Sequence, residues 1–218
     1  LGETYQGQLA EGMRSGWIDV YDNEGKRGGA YSWGALSVHP YVLLNYSKQL
    51  GDVFTLAHEM GHALHSVYSS RNQPEIYARY TTFLAEIAST CNEALLTNYM
   101  LAEADDVDVK LMLLNQRLES IRLTIFRQTL FADFELRFHE HAEAGNPLTA
   151  EFLNSLYADM IREYYGPGFE LGPDDECEWM FIPHFYYDFY VFTYATGLTS
   201  GLALADEIER NGDQAASR

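Results

Sequence analysis

The pattern of apolar and polar positions changes its period near residue 50. Before that point aromatic and small residues alternate over short stretches, and "PYVLLNY" at 40–46 is an apolar run bounded by Pro40 and Ser47. Period-two alternation and β-rich runs between turn residues are typical of strands. The pattern therefore predicts a small β element at about residues 17–46.

Beyond residue 51 the apolar positions recur at helical spacing. Asp52 is predicted to be the N-cap of the first helix, because a short acidic side chain satisfies free N–H groups of the first turn. "GPGFELGPDDE" at 166–176 is the clearest loop. The predicted helices span about residues 53–70, 75–102, 108–144, 149–165 and 177–210. The expected fold is mainly α with a small β-sheet.

The composition is strongly acidic, since 32 acidic against 14 basic residues give a net charge of −18. This charge disfavours phosphate backbones and anionic lipid as partners, so we expect neither nucleic acid nor membrane binding. No stretch approaches the roughly 20 apolar residues that span a bilayer. Cys91 and Cys177 lie far apart, which is typical of reduced thiols. We therefore expect a soluble, cytoplasmic protein.

The first predicted helix contains "HEMGH", in which His58 and His62 lie four residues apart and Glu59 follows the first histidine. Residues four apart share one helix face about 6 Å apart, so both imidazoles can reach one ion while Glu59 leans toward it. Catalytic Zn²⁺ takes three protein ligands and keeps a position for water. Gly61 costs the helix about 1 kcal/mol relative to Ala, which indicates that another element approaches closely. A five-residue HExxH pattern also arises by chance in helices, so other residues must decide whether it marks a metal site.

A third ligand is available on the next predicted helix. Glu86 lies 24 residues after His62, and a short turn near residues 72–74 can bring the two helices antiparallel. Glu93 is two turns beyond Glu86 on the same face, where it can orient a ligating imidazole through its free N–H. For His65 we predict a supporting or structural role, because three imidazoles of one helix do not easily converge on a tetrahedral ion.

Five stretches carry a family resemblance. They resemble the catalytic region of oligoendopeptidase F, in the thimet-oligopeptidase-like (M3) family of zinc metallopeptidases, in the correct order over nearly the whole chain. The resemblance implies a zincin-like catalytic domain with one zinc held by His58, His62 and Glu86, and with Glu59 as general base and acid. It also implies that the β element near 30–46 pairs with a short peptide substrate. The stretches are "WIDVYDNEGKRGGAYSWG", "HPYVLLNY", "HEMGHALHSVYSS", "AEIASTCNEALL" and "IPHFYYDFYVFTYATG".

The segment "PHFYYDFYVFTY" has two interpretations. Its phenylalanines, between Phe185 and Phe192, recur at steps of four and three and predict an aromatic core stripe. Its histidine and tyrosines recur on another face. The resemblance implies that some of these bind the oxyanion of the tetrahedral intermediate, as phenol O–H groups can. The candidates are His184, Tyr187 and Tyr190.

The expected function is zinc-dependent endopeptidase activity on short peptides. Family enzymes are longer, so we expect residues 1–218 to be a C-terminal catalytic region without the family's N-terminal helical lobe. An open cleft would then expose apolar surface and favour self-association or binding of that lobe. A fragment that binds zinc or peptide with little cleavage is therefore an alternative.

Two rival classes remain from the residues alone. A non-catalytic binding module could retain the scaffold, although the intact Glu59 speaks against it. A di-iron helical bundle also uses glutamate and histidine three residues apart, as Glu59 and His62 are. That site needs two copies of the pair, and no other histidine in the chain has a glutamate three residues before it.

Overall fold

The structure is a computed structural model and describes residues 2–212. It is mainly helical with one small sheet, which confirms the predicted fold class. The strands are β1 (Ile18–Asp19), β2 (Tyr31–Trp33) and β3 (Tyr41–Leu43). The α-helices of the described residues are α1 (Gly2–Arg14), α2 (Leu50–Asn72), α3 (Thr82–Glu103), α4 (Val107–Ile121), α5 (Arg127–Glu143), α6 (Ala150–Tyr165) and α7 (Phe192–Asn211).

The described chain divides into two compact units. The first comprises residues 2–115 and 197–212, and the second comprises residues 116–196. No helix between residues 2 and 212 has both the length and the apolar character needed to cross a membrane.

The sheet of the first unit has β3 at its centre. β3 runs parallel to β1 and antiparallel to β2, with Val42 opposite both Ile18 and Ser32. The buried side chains Val42, Leu44 and Trp17 form one apolar cluster with residues of α2 that include Met60 and Leu64. The predicted apolar run at 40–46 is thus the strand that anchors the sheet to the first unit's core.

Helix α2 begins three residues earlier than predicted, and Asp52 is not its N-cap. Gln49 occupies that position, and Asp52 lies in the first turn, where its Oδ2 accepts the backbone N–H groups of Gln49 (2.9 Å) and Ser47 (2.8 Å). The acidic side chain stabilises the helix start from inside the turn. The helix ends at Asn72 because Gln73 precedes a proline and is extended.

The sequence pattern predicted no element for residues 2–14 and placed the start of the second predicted helix too early. Gly2–Arg14 forms α1, whose Gly12 packs so closely that a Cβ there would meet Trp17 and Met60. The predicted helix from 75 starts only at Thr82. Glu75–Tyr77 forms a 3₁₀ turn, and the chain that follows it is tied to α2, because Ser69 Oγ donates to the carbonyl of Ala78 at 2.6 Å.

The long predicted helix at 108–144 is confirmed as a continuous helical path, with a π-helical segment at Arg122–Phe126 between α4 and α5. Helix α6 begins after Thr149, whose Oγ1 accepts the N–H of Phe152 at 3.2 Å. The core of the second unit lies between α5 and α6. Its most buried members are Phe134, Tyr157 and Met160.

The last predicted helix, 177–210, is wrong over its first half. The chain forms two 3₁₀ turns, Asp175–Phe181 and Pro183–Tyr186, and becomes α-helical only from Phe192. Asp188 and Phe189 adopt φ angles of 43° and 56°, which a right-handed helix does not accommodate. The predicted phenylalanine stripe is therefore wrong as well: Phe185 packs against the core, whereas Phe189 and Phe192 are about 40% exposed.

Candidate active site

Helices α2 and α3 pack closely at the HEMGH segment. A Cβ on Gly61 would lie 2.6 Å from the Cα of Ser89 and 2.9 Å from the carbonyl oxygen of Ala88, closer than real Cβ atoms approach. Only glycine fits this contact, which confirms the close approach predicted from the helix-weakening residue. The packing brings the second turn of α3 beside the two histidines of α2.

Three potential ligand atoms meet between these helices. His58 Nε2 lies 3.1 Å from His62 Nε2 and 3.3 Å from Glu86 Oε2, and His62 Nε2 lies 3.6 Å from the same oxygen. Glu86 is 4% exposed, and both histidines are partly buried. Within residues 2–212, no other group of three or more histidine, cysteine or acidic side chains is gathered as closely.

The size of this triangle can be compared with that of a zinc site. Zinc–ligand bonds of about 2.0–2.1 Å in tetrahedral geometry place ligand atoms about 3.3–3.4 Å apart. The observed separations of 3.1, 3.3 and 3.6 Å bracket that value. Two imidazoles and one carboxylate are also a donor set that catalytic zinc uses. The side chains present therefore fit such an ion.

Outer contacts hold the ligand side chains in place. Glu93 Oε1 lies 2.6 Å from His58 Nδ1, and Ser89 Oγ donates to Glu86 Oε2 at 3.3 Å. A hydrogen bond to the far imidazole nitrogen fixes the ring and leaves Nε2 directed at the centre of the group. The structure thus places Glu93 where it can orient His58.

Without a metal, the triangle carries an uneven charge. Burial lowers the pKa of His58, but hydrogen bonds to Glu86 and Glu93 outweigh it and raise that pKa to about 10. Burial, followed by the charge on His58, lowers the pKa of His62 to about 4. Burial raises the pKa of Glu86, yet its interactions with the two histidines leave it below the ordinary value. At neutral pH the imidazole of His58 is therefore favoured in its charged form and that of His62 in its neutral form.

Glu59 lies beside the triangle and is only 6% exposed. Its Oε2 is buried with no hydrogen-bond partner among the described residues. Burial raises the pKa of this carboxyl to about 7. A buried carboxylate oxygen with free lone pairs is able to accept a proton from a water molecule next to the ligand atoms.

The structure places His65 apart from the ligand group. Its ring stacks on that of Tyr80 with centroids 3.7 Å apart. The hydroxyl oxygen of Tyr80 in turn lies 2.9 Å from Ser66 Oγ, within hydrogen-bond distance. Burial lowers the pKa of His65. In this arrangement the imidazole supports the segment that joins α2 to α3.

The second unit brings together the other predicted residues. The ring of His184 lies 5.8 Å from that of Tyr187 and stacks on that of Tyr190 at 6.0 Å. Tyr194 joins them, with its hydroxyl 3.4 Å from His184 Nε2. Burial lowers the pKa of His184, so the neutral ring is favoured. We call His184, Tyr187, Tyr190 and Tyr194 the tyrosine cluster.

Comparison with known proteins gives the family. The model of peptidase family M3 matches residues 2–217. The chain belongs to peptidase family M3. This M3 chain is 46% identical to oligopeptidase PepF of Bacillus subtilis (strain 168) over 218 residues, which are 100% of the chain and 32% of the PepF length.

Solved structures agree with that assignment. A crystallised protein from Chlamydophila abortus is 47% identical, with a TM-score of 0.81 over 99% of this M3 chain and 36% of its own. The oligoendopeptidase F structure from Enterococcus faecium is 44% identical, with a TM-score of 0.64 over 77% of this chain and 30% of its own. The resemblance to oligoendopeptidase F is therefore confirmed, and the chain spans about a third of the length of these relatives.

The sequence pattern did not identify two residues that contact Glu86, a member of the triangle of potential ligand atoms. Ser89 donates to Glu86, and its position three residues later on the same helix was a readable signal. Thr90 Oγ1 donates to the carbonyl of Glu86 at 2.5 Å and to that of Gly197 at 3.0 Å. The second contact joins residues 107 positions apart, so no local pattern announces it.

Proposed function

We propose that this chain is the catalytic part of a zinc endopeptidase that hydrolyses short peptides. The observation that carries the proposal is the triangle of ligand atoms at zinc-like separations in a chain of peptidase family M3. His58, His62 and Glu86 would hold one zinc ion. When bound, zinc supplies a Lewis acid that polarises water and a peptide carbonyl.

Glu59 would move the protons of the reaction. Its unpartnered Oε2 would accept a proton from the attacking water, and the same carboxyl would donate it to the leaving amine. To hold a metal ion, His58 must carry no proton on Nε2. The hydrogen bond from its Nδ1–H to Glu93 favours that tautomer. These roles follow from which atoms are free and which are already occupied.

The tyrosine cluster would stabilise the negative charge that develops on the carbonyl oxygen. The O–H group of a phenol and the N–H group of an imidazole are suitable donors for that charge, and Tyr187 is 57% exposed and so open to a ligand. We assign this role to His184, Tyr187 and Tyr190.

The substrate backbone would bind at the edge of the sheet. β2 is an edge strand, because β3 pairs with it on one side. An extended peptide can add to such an edge through main-chain hydrogen bonds. We propose short peptides as substrates. We propose the cytoplasm as the compartment, because both cysteines are free thiols, as is usual in a reducing environment.

A second candidate is a zinc- or peptide-binding piece with little activity of its own. It is favoured by the length comparison, since the chain spans only 32% of its Bacillus relative. The proposed catalytic region, residues 1–218, would then need a further lobe to cleave efficiently. Exposed apolar side chains such as Ile76 and Phe181, each about 80% accessible, are available for such an association or for self-association.

Metal analysis combined with peptide cleavage tests the proposal. The purified chain is dialysed against zinc, and its metal content is measured by mass spectrometry. A quenched short peptide and a folded protein are then offered as substrates. Glu59→Gln is the matched control, because it keeps the ligands and the shape of the side chain while removing the proton acceptor.

The expected result is one zinc per chain, cleavage of the short peptide only, and a loss of about 10²- to 10⁴-fold in turnover for Glu59→Gln. Stoichiometric zinc without cleavage would support the binding-piece alternative. Two irons per chain would support the di-iron bundle. A Glu59→Gln chain with normal turnover would remove the general-base assignment.

A further inference from the structure

Glu135 of α5 is a fully buried acidic side chain of the second unit. It is 0% exposed and directly follows Phe134, a member of the main apolar cluster. The charged groups that act on it are His139, one turn later on α5, and Asp188. A carboxyl group in such a place costs stability unless its oxygens are used. An apolar residue of similar size would fill the position more favourably.

One carboxyl oxygen of Glu135 has a specific partner. Oε1 accepts the backbone N–H of Phe189 at 2.7 Å, whereas Oε2 has no partner among residues 2–212. Burial raises the pKa of the group. Both the charged and the neutral carboxyl can accept this hydrogen bond, so the contact does not depend on the protonation state.

The accepted N–H belongs to a strained turn. Asp188 and Phe189 are consecutive non-glycine residues with φ angles of 43° and 56°. Bulky residues rarely adopt this region, and they stay there only where surrounding contacts hold them. Helix α5 supplies two such contacts, since the ring of His139 also lies 4.7 Å from that of Phe189.

The turn is the backbone link between two members of the tyrosine cluster. Tyr187 precedes it and Tyr190 follows it, and their rings lie 6.1 Å apart, nearly perpendicular. The dihedral angles of Asp188 and Phe189 therefore set the direction in which each tyrosine leaves the backbone. If the turn relaxes to right-handed angles, the two rings separate from each other and from His184.

The geometry points to Glu135 as a positioning residue that sets the placement of Tyr187 and Tyr190 by holding the Phe189 N–H. This inference rests on the proposed function of the tyrosine cluster. Glu135 does not touch substrate in this scheme, because its side chain is fully buried. Its effect is to hold two proposed hydrogen-bond donors where the carbonyl charge develops.

Three substitutions separate the acceptor from the other properties of the side chain. Glu135→Gln keeps an acceptor oxygen at the same reach and removes the titratable group. Glu135→Leu keeps a similar volume and removes the acceptor. Glu135→Asp keeps the carboxyl but shortens its reach by one methylene. Each is compared with the parent as the zinc-loaded 218-residue chain.

In peptide cleavage, we expect Glu135→Leu and Glu135→Asp to lose about 10- to 100-fold in kcat with KM and zinc content unchanged, because small displacements of transition-state donors act on kcat. Glu135→Gln should stay within about threefold of the parent. A kcat loss for Gln as large as that for Leu would overturn the inference.

A second readout does not require activity. NMR spectra of the chain with ¹³C-labelled tyrosine report which aromatic rings are close in space. The cross-peaks among His184, Tyr187 and Tyr190 should persist in Glu135→Gln and disappear in Glu135→Leu and Glu135→Asp. If the parent chain does not cleave peptide, the proposed function is wrong, but the ring contacts still test the role of Glu135. Equal ring contacts in all four proteins would overturn the inference, and so would unfolding of both the Leu and Asp variants.

Discussion

The ligand triangle and the tyrosine cluster are built in opposite ways. His58, His62 and Glu86 project from two regular helices whose close packing needs Gly61. The members of the tyrosine cluster come from a short stretch that leaves helical geometry at Asp188 and Phe189. Helical spacing aims the two histidines and the packing of α2 on α3 adds Glu86, whereas the tyrosine cluster depends on a non-helical turn held by α5. The histidine pair should therefore tolerate changes around it, and the tyrosine cluster should be sensitive to remote support.

The sharpest test of the first half of this comparison is Glu86→Ala. Because the remaining imidazoles cannot close the triangle, zinc affinity should fall by more than the roughly 10- to 100-fold typical of losing an outer hydrogen-bond partner. Peptide cleavage should be lost in parallel. Competition with a chelating dye measures the affinity, and Glu103→Ala, at the exposed end of the same helix, is the control. Unchanged zinc binding in Glu86→Ala would remove the assignment of the third ligand.

The tyrosine cluster should respond without any change in metal. Tyr187→Phe and Tyr190→Phe should each lower kcat by about 10²-fold, as expected for one lost transition-state donor, while zinc affinity stays constant. Tyr186→Phe is the matched control, since Tyr186 is 86% exposed and lies in the same segment. Steady-state kinetics on one peptide separates kcat from KM. A common loss of zinc in the cluster variants would contradict the separation of the two regions.

The sequence was most informative where side chains follow a regular period. The four-residue spacing of His58 and His62 and the helix-weakening Gly61 predicted both a shared face and a close neighbour, and the structure has both. The long helical path at 107–143 and the start of α6 at Thr149 also followed from local signals. Such features depend on residues a few positions apart, which a linear pattern records.

The errors lie where distant contacts override the local pattern. Residues 78–81 look helical, yet a hydrogen bond from Ser69 holds their start outside the helix. The segment around Asp188 keeps three- and four-residue spacings although Glu135, more than fifty positions away, holds it in a non-helical turn. Spacing and the family resemblance named His184, Tyr187 and Tyr190 as candidates, but not the turn that brings them together.

The charge imbalance of the ligand region should be visible in the stability of the metal-free chain. The pKa of Glu59 is 4.5 in its ordinary state and about 7 in the fold, so the folded state binds more protons between these pH values. Stability must then fall as pH rises through this window. At about 1.4 kcal/mol per pH unit, the shift corresponds to about 3 kcal/mol of destabilisation above pH 7 and none below about pH 4.5.

Glu59→Gln removes this titration. In urea unfolding of the metal-free proteins, the variant should therefore gain stability over the parent as pH rises from 5 to 8, by up to about 3 kcal/mol. Groups that titrate equally in both proteins cancel in the difference. A difference that stays flat across this range would show that burial of Glu59 does not penalise its charge. Glu135→Gln offers the same comparison for the second unit.

The smallest effect tests whether the ligand triangle, too, depends on a remote contact. A Cβ on Gly197 of α7 would overlap Glu86 Cβ and lie 3.3 Å from Glu86 Cα, whereas Gly51 has no atom within 4 Å of its Cβ position. Gly197→Ala should therefore cost about 1–3 kcal/mol in urea unfolding through overpacking, and it should weaken zinc binding because Glu86 must shift. Gly51→Ala should leave zinc binding unchanged and should stabilise the chain by at most about 1 kcal/mol through helix propensity. If Gly197→Ala keeps full zinc affinity, the packing of α2 on α3 is sufficient to place Glu86, and the triangle, unlike the tyrosine cluster, needs no support from a further helix.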